Sequence, residues 1–288
     1  VNPAVIQMLG EYSPGSQDEY ENALREIIQQ AALFGLWRSK FFEKAAFYGG
    51  TALRVLYGLN RFSEDMDFSL KSPDPSFDIK KYGEYLCKEL ESLGFHLEFH
   101  ARAKEENAEI QSAFLKGDTL THLLLVNAPE SITSGIHSEK KFKIKIEIDT
   151  DPPGGFETES RFVLRPVPFS VISYALPDMF AGKIHAVLCR KWKNRVKGRD
   201  WYDMVWYISN HPELHLDHLS ARMKQSGDLD PATDLTPALL MQFLTDAVAD
   251  LSVEQAKKDV RPFLLHPEAV DIWSKEFFGE IIGRIRTV

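Results

Sequence analysis

The stretch Phe47–Leu70, FYGGTALRVLYGLNRFSEDMDFSL, constrains this chain more than any other. An apolar run, Ala45–Tyr48, reads as a buried strand and breaks at Gly49-Gly50. Thr51–Tyr57 then reads as a helix, with Thr51 suited to its N-cap. The chain returns through Gly58–Ser63 into a strand-like alternation, Asp65–Leu70. There Asp65 and Asp67 share one face, and Met66 and Phe68 face the core. Glycines at a strand end let the backbone approach a ligand closely. A helix N-terminus offers unpaired N–H groups and a positive dipole end to phosphate. Two carboxylates side by side repel each other unless a cation sits between them, and Mg²⁺ takes such hard oxygen ligands while keeping positions for phosphate. A phosphate-cradling turn beside paired carboxylates is the layout of two-metal phosphoryl chemistry. The turn is not a P-loop, because no Gly-Lys-Ser/Thr follows. It is not a dinucleotide fingerprint either, because the third glycine is missing.

Length and texture divide the rest. At 288 residues the chain is long enough for two domains. Helical spacing at 18–36 and 77–93 alternates with strand candidates at Phe95–Ala101, Thr119–Val126 and Lys141–Asp149. Residues 162–174 look extended but are broken by Pro166 and Pro168, as an edge strand or connector would be. After Pro177 the segments 178–191, 199–209, 213–225, 236–250 and 267–286 all have helical spacing, and no convincing strand is expected. The expected boundary lies near 170–176, with an α+β domain at 1–172 carrying a small mixed sheet and a helical domain at 173–288.

Further residues bear on chemistry. In Lys141–Asp149, KFKIKIEID, the three isoleucines face one way and Lys143, Lys145, Glu147 and Asp149 the other, so Glu147 or Asp149 is available as a third acidic group. Lys183 sits beside the apolar stripe of a helix, where a lysine often snorkels. Asp200 and Asp203 lie one turn apart near a helix start, where the dipole favours acids. The one dense basic run holds Arg190, Lys191, Lys193, Arg195, Lys197 and Arg199 with Trp192 interleaved. Such a run suits a nucleic-acid backbone and an unpaired base. Arg161 and Arg165 extend this candidate surface.

The opening stretch resembles the AbiEii/AbiGii-type nucleotidyltransferase toxins of the polymerase-β-like superfamily. The resemblance rests on Gly49-Gly50-Thr51-Ala52-Leu53-Arg54, then Arg61, then Ser63-Glu64-Asp65-Met66-Asp67-Phe68. Ala181-Gly182-Lys183-Ile184-His185-Ala186 and Arg199-Asp200 through Asp203 match two later family motifs. The resemblance implies a polymerase-β-like domain followed by a helical one. It favours Glu147 as the acid completing a metal triad with Asp65 and Asp67, and as a candidate base, with Asp149 as substitute. It places Lys183, Asp200 and Asp203 in the active site. It implies that Gly49, Gly50, Thr51, Arg54, Ser63 and Lys183 bind the nucleotide. Two Mg²⁺ ions and an NTP are the implied cofactor and substrate. In studied relatives the acceptor is the 3′ end of tRNA, and an antitoxin accompanies the toxin.

Charge leaves room for this. The net charge is −8, with 19 Lys+Arg against 26 Asp+Glu in residues 1–170, hence −7 there and −1 in the remainder. Chain-wide polyanion binding is disfavoured, but docking one RNA end on a local basic run is not. Cys87 and Cys189 are too few for a disulfide framework, no stretch spans a membrane, and a reducing cytoplasmic location is expected. The nine histidines predict no metal site. Two alternatives remain in view. One is the same chemistry directed at a small molecule such as an antibiotic, or at a protein. The other is an inactive relative that binds, against which the three carboxylates argue.

Overall fold

The computed structural model describes residues 2–102, 109–190 and 196–288. The chain divides into two compact units. The first comprises Val1–Gly58, Phe62–Pro152 and Ser160–Ser173, and the second comprises Leu59–Arg61, Pro153–Glu159 and Tyr174–Val288.

In the first unit, helices α1 (Pro3–Tyr12) and α2 (Gln17–Arg38) precede strand β1 (Ala45–Tyr48), helix α3 (Gly49–Tyr57) and strand β2 (Met66–Leu70). Next come α4 (Lys80–Ser92), β3 (Glu98–Ala101), β4 (Ile110–Asp118), α5 (Thr119–Leu125), the short α6 (Glu130–Thr133) and β5 (Lys141–Asp149). Strands β6 (Thr158–Val163) and β7 (Phe169–Tyr174) finish a seven-stranded mixed sheet of order β3-β4-β5-β2-β1-β7-β6. The helix α2 starts at a capping box in which Ser16 and Glu19 satisfy each other's backbone N–H groups. Strict alternation in β5 buries Phe142, Ile144, Ile146 and Ile148 on one side. Ile146 and Ile148 pair in register with Met66 and Phe68 of β2, and Phe68 pairs with Phe47 of β1. Phe41 meets Phe68 edge-on at 5.0 Å, continuing this apolar face towards the preceding 3₁₀ turn. Because side chains alternate, the opposite face receives Asp67, Glu147 and Asp149.

Several elements differ from expectation. Thr119–Val126, read as a strand, contains α5, because a short apolar run does not separate strand from buried helix. The unexpected β4 fills the place beside β5. The helix α3 starts at Gly49 with Tyr48 as N-cap, so Thr51 is an internal residue and its hydroxyl donates to the Asp65 carbonyl. Asp65 lies one residue ahead of β2. The Pro166–Pro168 segment connects β6 to β7.

The second unit is mainly helical: α7 (Leu176–Cys189), α8 (Gly198–Asn210), α9 (Leu216–Gln225), α10 (Pro237–Asp250), α11 (Val253–Val260) and α12 (Lys275–Ile282). A two-stranded parallel ribbon was not expected here. It joins β8 (Glu213–Leu214) to β9 (Arg286–Thr287) and ties the end of the chain to the α8–α9 connection. Aromatic pairs fill the core, with Phe180 stacked on Tyr207 at 4.6 Å and Trp201 edge-on to Phe278 at 5.0 Å. Gly198 opens α8 against the Ala256 carbonyl of α11, an approach that any Cβ would block.

Candidate active site

In the first unit the central feature is a row across three strands. Tyr48 of β1 pairs with Asp67 of β2, and Asp67 pairs with Glu147 of β5. In-register neighbours on adjacent strands lie about 4.8 Å apart and point the same way. The register also separates the two candidates for the third acid. Glu147 stands beside Asp67, whereas Asp149 stands beside Ser69 and accepts a hydrogen bond from the Asp151 N–H at 3.0 Å. Glu147 pairs with Lys145 at 2.6 Å, two residues back on the same face. Asp65, Asp67 and Glu147 are all half-buried.

Gly49 sits directly against this row. Its φ is +80°, and a Cβ there would lie 2.5 Å from Oδ2 of Asp67. Backbone conformation and space both demand glycine. The helix α3 begins here, its N-cap Tyr48 making no side-chain cap bond, so the positive end of the helix lies beside the carboxylates. Gly50 and Thr51 are buried in its first turn. Through its bond to the Asp65 carbonyl, Thr51 places that residue. The Ser63 and Glu64 carbonyls accept from Nε2 of Gln29 at 3.1 and 3.2 Å, which fixes the approach to β2 from the other side. Arg54, further along α3, donates to Glu26 of α2 at 2.8 Å and lies over the Phe62 ring at 5.2 Å. Burial, with Glu26 adding to it, pushes the nearby Tyr12 hydroxyl far above its ordinary range. The donor set of the row is oxygen only and acidic, which fits a hard divalent cation.

The second unit holds another charged cluster. Arg61 is 3% exposed and grips Asp203 through two bonds of 2.6 Å, from Nε to Oδ1 and from Nη2 to Oδ2. Lys183 of α7 reaches Asp200 at 2.7 Å and Asp203 at 2.8 Å, and Arg190 reaches Asp200 at 3.1 Å. Burial alone would raise both aspartates, but the cations outweigh it. Arg61 and Lys183 hold Asp203 below the usual carboxylate range, and Lys183 with Arg190 hold Asp200 at about 2. Burial opposes the charge on Lys183 as well, and the two aspartates overcome it and raise its pKa. Three cations against two carboxylates leave one positive charge over. Arg190 is the most exposed member and lines a cavity of about 450 Å³ with Lys197, Asp200, Trp201 and Asp250. Burial, then Arg190, lowers the pKa of Lys197.

The fold therefore brings Gly49, Gly50, Thr51, Asp65, Asp67 and Glu147 together in the first unit. In the second it brings together Lys183, Asp200, Asp203 and Arg190. Arg199 turns instead to the Phe263 ring, with its guanidinium carbon 4.1 Å from the centroid. Lys191, Lys193 and Arg195 of the expected RNA-binding run lie outside the described residues. Arg61 is the member that side-chain chemistry in the sequence did not single out. Its partner is 142 residues away, and the available signal was a lone arginine between the glycine turn and the acidic strand.

A glycine turn is thus pressed on a carboxylate strand, with a second carboxylate in register beside it. The chain belongs to the AbiEii nucleotidyl transferase toxin family of type IV toxin–antitoxin systems, whose model matches residues 31–276. Among solved structures, the JHP933 protein of Helicobacter pylori is similar. It shares 17% identity over 91% of this chain and 88% of its own, with a TM-score of 0.48. A candidate nucleotidyltransferase from H. pylori shares 18% identity over 91% of each chain, also with a TM-score of 0.48. No curated relative matches by sequence.

Proposed function

We propose that this protein is the toxin of an antitoxin pair and transfers a nucleoside monophosphate from an NTP to an RNA end, with the tRNA 3′ terminus as acceptor. The observation that carries the reading is the register of Asp67 with Glu147 beside a glycine that only a Cβ-free residue can occupy. Asp65, Asp67 and Glu147 would hold Mg²⁺, and bound Mg²⁺ supplies charge neutralisation on the phosphates. The N–H groups at the start of α3 orient the triphosphate. Thr51 acts as a positioning residue by fixing the Asp65 backbone. Glu147 takes the proton of the attacking hydroxyl, and Lys145, 2.6 Å away on the same face, positions it. The oxygen attacks the α-phosphorus, the α–β bridging bond breaks and pyrophosphate leaves. Positioning and charge neutralisation supply most of such catalysis.

In the helical unit, Arg61, Lys183, Asp200 and Asp203 form a self-neutralised scaffold. Arg190 and Lys197 offer the surplus charge to phosphate, and the basic composition of the run from Arg190 onward suits a polyanionic acceptor. The choice of RNA over a small molecule or a protein rests on that run. No helix among the described residues is long and apolar enough to cross a membrane.

The test is incubation with Mg²⁺, each labelled NTP in turn and total RNA. Label is expected in tRNA, and it vanishes with Asp67→Ala. Label found only in protein or in a small molecule would replace the RNA reading with its alternative. NTP binding without any transfer would mark a binding module.

A further inference from the structure

Scattered spacing predicts no histidine metal centre, yet the second unit gathers His185, Cys189 and Asp228. One ligand atom from each lies within 4.8 Å of the other two. His185 and Cys189 are four residues apart on α7 and so share one helix face. Asp228 follows α9, just past Gly227, whose φ of +75° turns the chain back. Ser226 links the two sides, with its hydroxyl 2.9 Å from Nε2 of His185 and 2.8 Å from Oδ2 of Asp228. All three side chains are half-buried, so an ion can enter and still be shielded. None of the three has a part in the transfer described above.

We infer that His185, Cys189 and Asp228 form a Zn²⁺ site with water as the fourth ligand. A thiolate, an imidazole nitrogen and a carboxylate oxygen make a zinc donor set, and the soft thiolate selects against Mg²⁺ and Ca²⁺. Three protein ligands plus water complete zinc's preferred four-coordination. The ionised thiolate and carboxylate balance the charge of the ion, which leaves the cluster neutral beside the guanidinium groups of Arg222 and Arg190. Ser226 plays the outer-shell part of a hydrogen-bonding group that orients the ligands. Zinc at this point pins the C-terminal end of α7 to the α9 turn. Because Arg190 directly follows Cys189, the clamp also steadies the first residue of the basic run.

The test uses the full chain, stripped of metal by a chelator and titrated with Co²⁺ as a spectroscopic probe. One equivalent is expected to give thiolate-to-cobalt charge-transfer absorption that Zn²⁺ abolishes. Cys189→Ser removes the band, Cys87→Ser keeps it, and Ser226→Ala weakens zinc binding about tenfold. In the unaltered protein Zn²⁺ slows alkylation of Cys189 and leaves Cys87 unchanged, so the result does not depend on any variant folding. The carboxylate row of the first unit cannot produce a thiolate band, which keeps this site distinguishable from a Mg²⁺ site. Absence of the band at one equivalent, its survival in Cys189→Ser, or unchanged alkylation of Cys189 would overturn the assignment.

Discussion

Asp67 and Asp203 are both aspartates at the heart of a charged cluster, and the protein holds them in opposite ways. Asp67 is half-buried and has another carboxylate, Glu147, as its in-register neighbour. Asp203 is fully buried, and Arg61 and Lys183 both grip it. The first arrangement gathers like charge at a partly open face. The second matches opposite charges inside, where a lone ion would be intolerable. In-register acids at a partly open face suit a cation from outside the chain. The buried acid has its counter-charges supplied within the chain.

The largest expected effect breaks that contrast at the first cluster. Asp67→Asn lowers nucleotide transfer about 10²–10³-fold, because charge neutralisation at the phosphates is lost. Its thermal midpoint stays close to that of the unaltered protein, because Asn keeps the shape of this half-buried side chain. Labelled-NTP transfer and a melting curve read the two halves of this prediction. A clear loss of stability would mean that Asp67 is architectural after all.

At the second cluster the order reverses. Asp203→Asn removes the carboxylate that Arg61 grips, leaves Lys183 with Asp200 alone, and costs about 3–5 kcal/mol in denaturant unfolding. The folded pKa values of Asp200 and Asp203 lie below their unfolded values. Their stabilisation is therefore complete above the ordinary carboxylate range and is lost as pH falls through the folded values, about 2 for Asp200. Unfolding measured between pH 5 and 8 is therefore expected to show no pH dependence from this pair, whose stabilisation is fully present there.

A third effect separates a buried histidine from these paired acids. Burial, helped by Arg222, lowers His218 to about 4 from the ordinary 6.5. Its neutral ring packs against Phe156 and Tyr174. The unfolded chain binds the proton first, so stability falls as pH drops from 6.5 towards 4, by up to about 3 kcal/mol. Replacing His218 with Leu should flatten this part of the pH–stability curve. Next in size, Gly49→Ala forces a Cβ into a left-handed conformation and against Asp67, at about 1–3 kcal/mol. It also disturbs the acid row, so it is expected to lose both stability and transfer. A smaller effect still, Arg190→Gln removes one phosphate contact and lowers the salt slope of RNA binding by about 1.

Legibility in the sequence followed how local the signal was. The strand β5 was readable to the residue because its alternation is strict over nine positions. The helix α5 was misread because Thr119–Val126 is too short to show a period, and β4 was missed because Lys116 and Gly117 interrupt its apolar pattern. Acidic spacing singled out Asp65, Asp67 and Glu147 as candidates. The choice of Glu147 over Asp149 drew on family resemblance, since both residues lie on one face of the strand. Lys183, Asp200 and Asp203 were visible as motif residues, but their mutual pairing was not.

The sequence by itself determined the strand–glycine–helix turn, the acidic alternations and the change to helical texture after Pro177, because each depends on near neighbours along the chain. Only the tertiary structure decided which residues meet across long separations. It set Glu147 beside Asp67 through a parallel register, closed Arg61 on Asp203, and drew Asp228 to His185 and Cys189. Those contacts depend on how strands align and helices pack, and no local period encodes that.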